Sequence, residues 1–346
     1  MNSKSHQRKE IEDLCISLGA DPLLVQGAGG NISWKEDETL WIKASGTWLS
    51  DAIEKDIFIP TDLPQIKNAV NSGNFNASPL VTSNSTLRPS IETLLHALMP
   101  QRVVVHLHAI DILSYLVRED CEINFKNILP ENLNYAMVKY CKPGANLAKN
   151  VFGKIKLDSE INIVFLMNHG LVIGGDSAFE VQEILDGLIK KLAPEITFKT
   201  LAESIDVNKN HDLIKYLERY GYAPVSSPKF HYLATNLDLS DLVESKWALF
   251  PDHVVFLGAK ALIGNSEILK DFLEESKNIR PPFIFCKHVG TFQYKNVTRA
   301  QVDQLNCFYD VAIRQKDKSK IIGLSDKDID ELVDWDAEKY RLSITK

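Results

Sequence analysis

The sequence predicts an α/β layer protein, and three observations carry that expectation. Short β-branched or apolar runs, "RVVVHLH" (102–108) and "INIVFLMNHGLVIGGDS" (161–177), read as buried strands. Segments with helical spacing separate them: Leu94, Leu95 and Leu98 share a face after Pro89 and Ser90, and Val181, Ile184, Leu185 and Leu188 follow a capping box of Ser177 and Glu180. With 45% hydrophobic and 25% charged residues, the 346-residue chain has the composition of an ordinary globule and the length for one large domain with an extension, or two domains.

In chain order, Ile11, Leu14, Cys15 and Leu18 recur at helical spacing until "GADP" stops the helix. "LLVQGAGGNISW" then breaks into glycines and enters a hairpin whose second strand is "TLWIKAS", joined through "KEDE". Residues 60–87, rich in Asn, Ser and Pro, read as irregular connection. A helix is expected from "RPSIETLLHALM", a strand from "RVVVHLH" and a second helix from "ENLNYAMVKYC". "INIVFLMNHGLVIGGDS" predicts a buried strand, a break at Asn168–Gly170 and another short strand.

Residues 197–228 are more polar and helical and contain "SSP", a natural boundary, so residues 1–200 are expected as one domain and 201–346 as a C-terminal α/β extension. In the latter, "FPDHVVFLGAKALI" and "PPFIFCKHVGTFQY" read as two further strands with helices between and after them. No internal repeat or low-complexity segment is legible.

A net charge of −7, without a Lys/Arg-rich block, argues against nucleic acid or an anionic membrane as partner. Any phosphate must be caught locally. "MNSKSHQRKEIEDL" lacks the apolar core of a signal peptide and no run of about 18 apolar residues follows, so a cytoplasmic location is expected. Cys15, Cys121, Cys141, Cys286 and Cys307 are widely spaced without a CxxC pair and read as reduced packing residues.

His106 and His108 alternate along one strand and so share a face, roughly 6–7 Å apart along the chain. His169 follows another buried strand, in "MNHG". If the two strands are close in one sheet, three imidazoles meet with a position left open, the pattern of a catalytic zinc site. Imidazole pairs also serve as plain structural groups.

"GAGGNIS" is not the dinucleotide fingerprint, because a strand rather than a helix follows the glycines. A tight glycine turn with Asn31 and Ser33 suits a phosphate monoester, or is simply the entry to a hairpin. Ser45 and Gly46 in "KASG" offer a second small turn, and Ser90 a hydroxyl at a helix start, where it also reads as an N-cap. Glu92, in the first helical turn, is favoured there by the helix dipole and is also a candidate base. Arg88 is placed to reach a phosphate from the helix entrance or to form a surface ion pair. His96 shares the face of Glu92 and reads as packing or support behind the site, with metal ligation the minor alternative.

Taken in order, Asn31 in "GGNIS", Ser45–Gly46 in "KASG", Glu92 in "PSIE", His106 and His108 in "HLH" and His169 in "NHG" resemble the class II aldolase/adducin family over residues 8–195. "WIKASGTWLSDA" and "RPSIETLLHALMP" resemble the aldolase part of bifunctional rhamnulose-1-phosphate aldolase/dehydrogenase-like proteins.

The resemblance implies a three-layer αβα fold with a central, mostly antiparallel sheet. It implies Zn²⁺, or another divalent metal, on His106, His108 and His169, and Glu92 as acid/base. Asn31, Ser45, Gly46 and Ser90 become a phosphate cradle. Ile91 stands where the small fuculose-phosphate-type aldolases have a second serine, so Arg88 is expected to compensate.

The implied reaction is retro-aldol cleavage of a ketose phosphate to dihydroxyacetone phosphate and an aldehyde, without a Schiff-base lysine. Sugar-phosphate 4-epimerases, dehydratases and decarboxylases share these ligands, and adducin-like interaction domains form a non-catalytic rival expected to lack them. A C-terminal tyrosine assists in small relatives; Tyr340 is the only tail tyrosine, and that role is not carried over to it. Family members commonly form tetramers with shared sites, so a homo-oligomer is expected.

Overall fold

The computed structural model describes residues 3–193, 207–276, 279–333 and 335–344. They fall into two compact units, 1–193 with 334–346, and 194–333. The boundary expected at residue 200 lies outside the described residues, and the last helix, Asp336–Ile344, belongs to the first unit.

The first unit is built on seven strands: β1 (Asn31–Glu36), β2 (Thr39–Lys43), β3 (Phe58–Asp62), β4 (Val103–Leu107), β5 (Tyr135–Val138), β6 (Ile163–Leu166) and β7 (Gly170–Gly175). Their order is β3-β2-β1-β4-β7-β6-β5. Every neighbouring pair is antiparallel except β5 with β6. Register at the β1–β2 hairpin is fixed by Trp34 opposite Trp41, whose rings stack at 5.5 Å.

On one face of this sheet Val104, Val164, Leu166 and Val172 pack with Leu95, Leu147 and Val151 from the helices Thr93–Leu98 and Ala145–Leu157. The other face takes the helix Ala178–Leu192 against β4 and β7, with the helices Ser3–Ala20 and Ile110–Leu116 packed on that helix. This is the three-layer arrangement with a mostly antiparallel sheet. Each fully buried aliphatic side chain contributes roughly 1.5–3 kcal/mol, so β4, β6 and β7 form a firm platform.

Four local expectations are corrected. Residues 135–138 form β5 rather than a helix, because pairing with β6 and edge contact of Tyr135 with Phe165 at 5.5 Å outweigh local spacing. The stretch 60–87 holds part of β3 and a helix, Leu63–Asn71, capped by Asp62, which accepts the Gln65 N–H at 2.8 Å. The next helix begins at Thr93, with Glu92 at its cap position, not at Ser90. Ser177 caps its helix, but Glu180 accepts the Asp176 N–H rather than closing a box.

The second unit has four strands: β8 (Tyr222–Pro224), β9 (Leu262–Gly264), β10 (Phe283–Cys286) and β11 (Gly290–Tyr294), in the order β8-β11-β10-β9. Leu217, Leu269, Leu273, Ile284 and Phe292 form its core. Of the two strands expected here, "FPDHVVFLG" is instead a helix, Pro251–Leu257, started by a proline in its first turn, with a strand only at β9. "PPFIFCKHVGTFQY" is a hairpin, β10–β11. All five cysteines are free, and no described helix is long and apolar enough to cross a membrane.

Candidate metal centre

β4 and β7 are neighbours, so the end of β4 and the turn after β6 bring His106, His108 and His169 together. All three are buried, and one ring nitrogen of each lies within 4.8 Å of the others. Their ring centroids are 4.9–5.6 Å apart. The His106 and His108 Nε2 atoms face each other at 3.2 Å.

His106 Nδ1 sits 3.0 Å from the Leu171 carbonyl, which only accepts; Nδ1 therefore donates there and Nε2 is the ring nitrogen directed at the cluster. This is the orientation a metal ligand needs.

The turn holds the third ring against the other two. Asn168 has φ 52°, a left-handed conformation that asparagine tolerates, and its N–H donates to Leu116 O at 3.1 Å. A Cβ on Gly170 would lie 2.6 Å from Leu107 O and 2.9 and 3.0 Å from the His106 and His108 rings. Glycine is required here by proximity alone.

Glu92 reaches the same place. Its carboxylate oxygens lie 3.5 Å from His106 Nε2 and 3.5 Å from His169 Nε2, and Asn31 Nδ2 donates to Oε2 at 3.0 Å. Its buried Oε1 accepts no hydrogen bond among the described residues. A buried carboxylate oxygen without a donor, facing three convergent imidazoles, is a donor set that fits a divalent ion.

His96 lies under this cluster, fully buried, with Nδ1 2.8 Å from Ser33 Oγ. Burial first, and the neighbouring His106 second, hold its pKa well below the ordinary histidine value. It is a neutral packing ring.

The other sequence-predicted residues gather around two loops. Ser45 donates its N–H to Arg88 O at 2.9 Å, and Ala44 bridges Pro89, so "KASG" and "RPS" are stitched together. Ser90 Oγ accepts the Glu92 N–H at 3.2 Å and thereby fixes the carboxylate-bearing residue. Gly46 has φ 79°, and a Cβ there would meet Ile344 at 2.9 Å. Arg88 is exposed and stacks on the Tyr340 ring at 4.5 Å, while its N–H donates to Tyr340 Oη at 3.2 Å.

Two residues escaped the sequence reading, and a third had no role in it. Lys43 is buried, and its Nζ donates to Thr47 O at 2.6 Å and Ala28 O at 3.4 Å, tying the "GAGG" turn to the "KASG" turn. A lysine ending an apolar strand carries no signal of this. Gln26 Nε2 donates to Pro22 O at 2.8 Å and His108 O at 3.3 Å, bracing the segment that carries His108. Tyr340, which the sequence alone gives no role, lies under the Arg88 guanidinium.

These features have relatives. A protein named as an uncharacterized oxidoreductase, YuxG of Bacillus subtilis (strain 168), is 28% identical over 191 residues, 49% of this chain and 27% of that protein. The chain thus spans about a quarter of that relative's length. A methylthioribulose-1-phosphate dehydratase of Bacillus pumilus (strain SAFR-032) is 27% identical over 204 residues, 54% of this chain and 89% of that enzyme. The N-terminal class II aldolase domain of a conserved protein from Thermoplasma acidophilum is similar at 26% identity with a TM-score of 0.45, covering 53% of this chain and 90% of that one. The family model for the class II aldolase and adducin N-terminal domain matches residues 9–188, more than half of the sequence, and the chain belongs to that family.

Proposed function

We propose that this chain is a divalent-metal lyase, using zinc, that cleaves a ketose phosphate by retro-aldol chemistry to dihydroxyacetone phosphate and an aldehyde. One observation carries the reading: three convergent imidazoles with the Glu92 carboxylate 3.5 Å from two of them. A non-catalytic adducin-like role gives no reason to bury such a set.

His106, His108 and His169 would hold the ion, which would supply Lewis acidity for the negative charge that develops as the carbon–carbon bond breaks. The chain's own residues do the rest. Leu171 O fixes the His106 tautomer. Asn31 holds Glu92 Oε2, which leaves Oε1 to carry a proton to or from the reacting carbon. Burial of Glu92 excludes competing water. The "GAGGN" turn with Asn31, the joined loops carrying Ser45, Gly46 and Ser90, and exposed Arg88 form the phosphate end.

A second reading is favoured by the dehydratase relative, which aligns over most of its own length. There Glu92 would deliver its proton to a departing hydroxyl instead of a carbanion.

The test is a dihydroxyacetone phosphate release assay across ketose 1-phosphates, with and without chelator. Release abolished by chelator is expected, and loss of water without triose release would move the assignment to a dehydratase. Glu92→Gln should keep its metal and lower turnover about 10²–10⁴-fold. Full activity in that variant would overturn the assigned role.

A further inference from the structure

The two units repeat one design. In the first, β4, β5, β6 and β7 lie in the order β4-β7-β6-β5, with the first two pairings antiparallel and β6–β5 parallel. In the second, β8, β9, β10 and β11 lie in the order β8-β11-β10-β9, again antiparallel, antiparallel, parallel. Chain order, spatial order and strand direction all correspond.

The agreement extends to single hydrogen bonds. After β6, the left-handed Asn168 donates its N–H to Leu116 O, at the end of the helix Ile110–Leu116. After β10, the left-handed His288 (φ 63°) donates to Ala234 O, near the end of the helix Pro228–Thr235. Met167 N–H binds Val138 O at 2.9 Å at the end of β5, and Lys287 N–H binds Gly264 O at 2.8 Å at the end of β9. Both turns close onto a glycine, pairing Leu166 with Gly170 and Cys286 with Gly290.

Strand register then fixes which residues correspond at the ligand end. His106 pairs with Val172, two residues after Gly170; Pro224 pairs with Phe292, two residues after Gly290. Pro224 therefore stands where His106 does, Ser226 where His108 does, and Val289 where His169 does. The helices that follow begin at the equivalent points, Ile110 and Pro228.

We infer that residues 222–294 are a second, degenerate copy of the ligand-bearing half of the first unit, whose three ligand positions hold Pro224, Ser226 and Val289 and bind no metal. The chain thus carries two sites of one backbone design and a metal position in one of them. Proline, a single hydroxyl and valine offer no imidazole or carboxylate, the donors a divalent ion takes from such a site. β8 ends at Pro224, the position of His106, whereas β4 runs one residue further to Leu107, and the Thr291 N–H is met by His231 Nδ1 at 3.1 Å, a side-chain acceptor inside the second copy.

The functional half of this inference rests on the metal reading of the first copy, and the experiment separates the two. The full chain is equilibrated with Co²⁺, desalted and analysed for metal per chain, together with the graft Pro224→His/Ser226→His/Val289→His and a displaced control, Ala223→His/Val225→His/Val289→His. The expected result is one ion per chain for the parent and control, and one more, with tetrahedral cobalt absorbance, for the graft.

Two ions in the parent overturn the inference, as does a folded graft that gains no more than the control. No ion in the parent overturns the proposed metal function instead, because the gain on grafting is counted against the parent. Ser226→His/Val289→His, which spares the proline, covers misfolding of the triple variant: it should bind Ni²⁺ at the second site at least tenfold more tightly than Val289→His alone. Equal affinity overturns the correspondence.

Discussion

The hairpins β6–β7 and β10–β11 share a backbone and differ in chemistry. Each has a left-handed residue whose N–H is tied to a helix end, and a glycine closing the turn. In the first, that frame presents His169 to two histidines of β4 and its extension; in the second, the same place holds valine beside a proline and a serine. Main-chain hydrogen bonds specify the frame and three side chains specify the function, so the frame can persist after the function is gone. The second unit also has no counterpart to β1–β3 and the glycine and "KASG" turns, among the described residues.

The sharpest break of this comparison is at the ligands. His169→Ala should abolish tight metal binding and lower turnover at least about 10³-fold, while Val289→Ala leaves both unchanged; metal analysis beside the release assay reads both. Equal losses would remove the asymmetry.

Next in size are the two glycines. Gly170→Ala forces a Cβ against Leu107 O and the ligand rings and should cost about 1–3 kcal/mol of stability together with metal affinity. Gly290→Ala meets His231 Nδ1 at 2.7 Å and should destabilise comparably with metal content unchanged. Denaturant unfolding of the two variants, with metal counted, gives the answer.

The smallest effect concerns the loops that only the first unit has. Arg88→Ala should weaken a phosphorylated substrate about tenfold, about 1.4 kcal/mol, and leave a non-phosphorylated analogue untouched. Tyr340→Leu, which removes the ring under Arg88, should give a fraction of that change in KM with kcat retained. An unchanged KM in Arg88→Ala would take this residue out of the phosphate end.

Legibility in the sequence followed the kind of force involved. β4, β6 and β7 could be read because their burial on both faces writes long apolar runs. β5 could not, because its four residues owe their conformation to pairing with β6, and "ENLNYAMVKYC" alone has helical spacing. The helix Pro251–Leu257 hid behind Val254 and Val255, whose β-branching outweighed the proline and aspartate that start it.

The site residues stood out because histidines, a glutamate and an asparagine carry their chemistry wherever they are. Lys43 and Tyr340 did not, since their roles are set by carbonyls and an arginine distant in the chain. The second copy was invisible for a related reason: what it keeps is a hydrogen-bond pattern, and the side chains at matching positions differ almost throughout.

Asn31 ends the glycine turn, opens β1 opposite His106 and holds Glu92. In the proposed reading, one short, rigid side chain therefore belongs both to the part that grips the substrate's inert end and to the part that handles its proton. Any shift of that turn on ligand entry would reach the carboxylate through the Asn31–Glu92 hydrogen bond alone. On that reading remote binding energy would have a path one residue long to the reacting carbon, and a substrate lacking its phosphate would be penalised in turnover as well as in affinity.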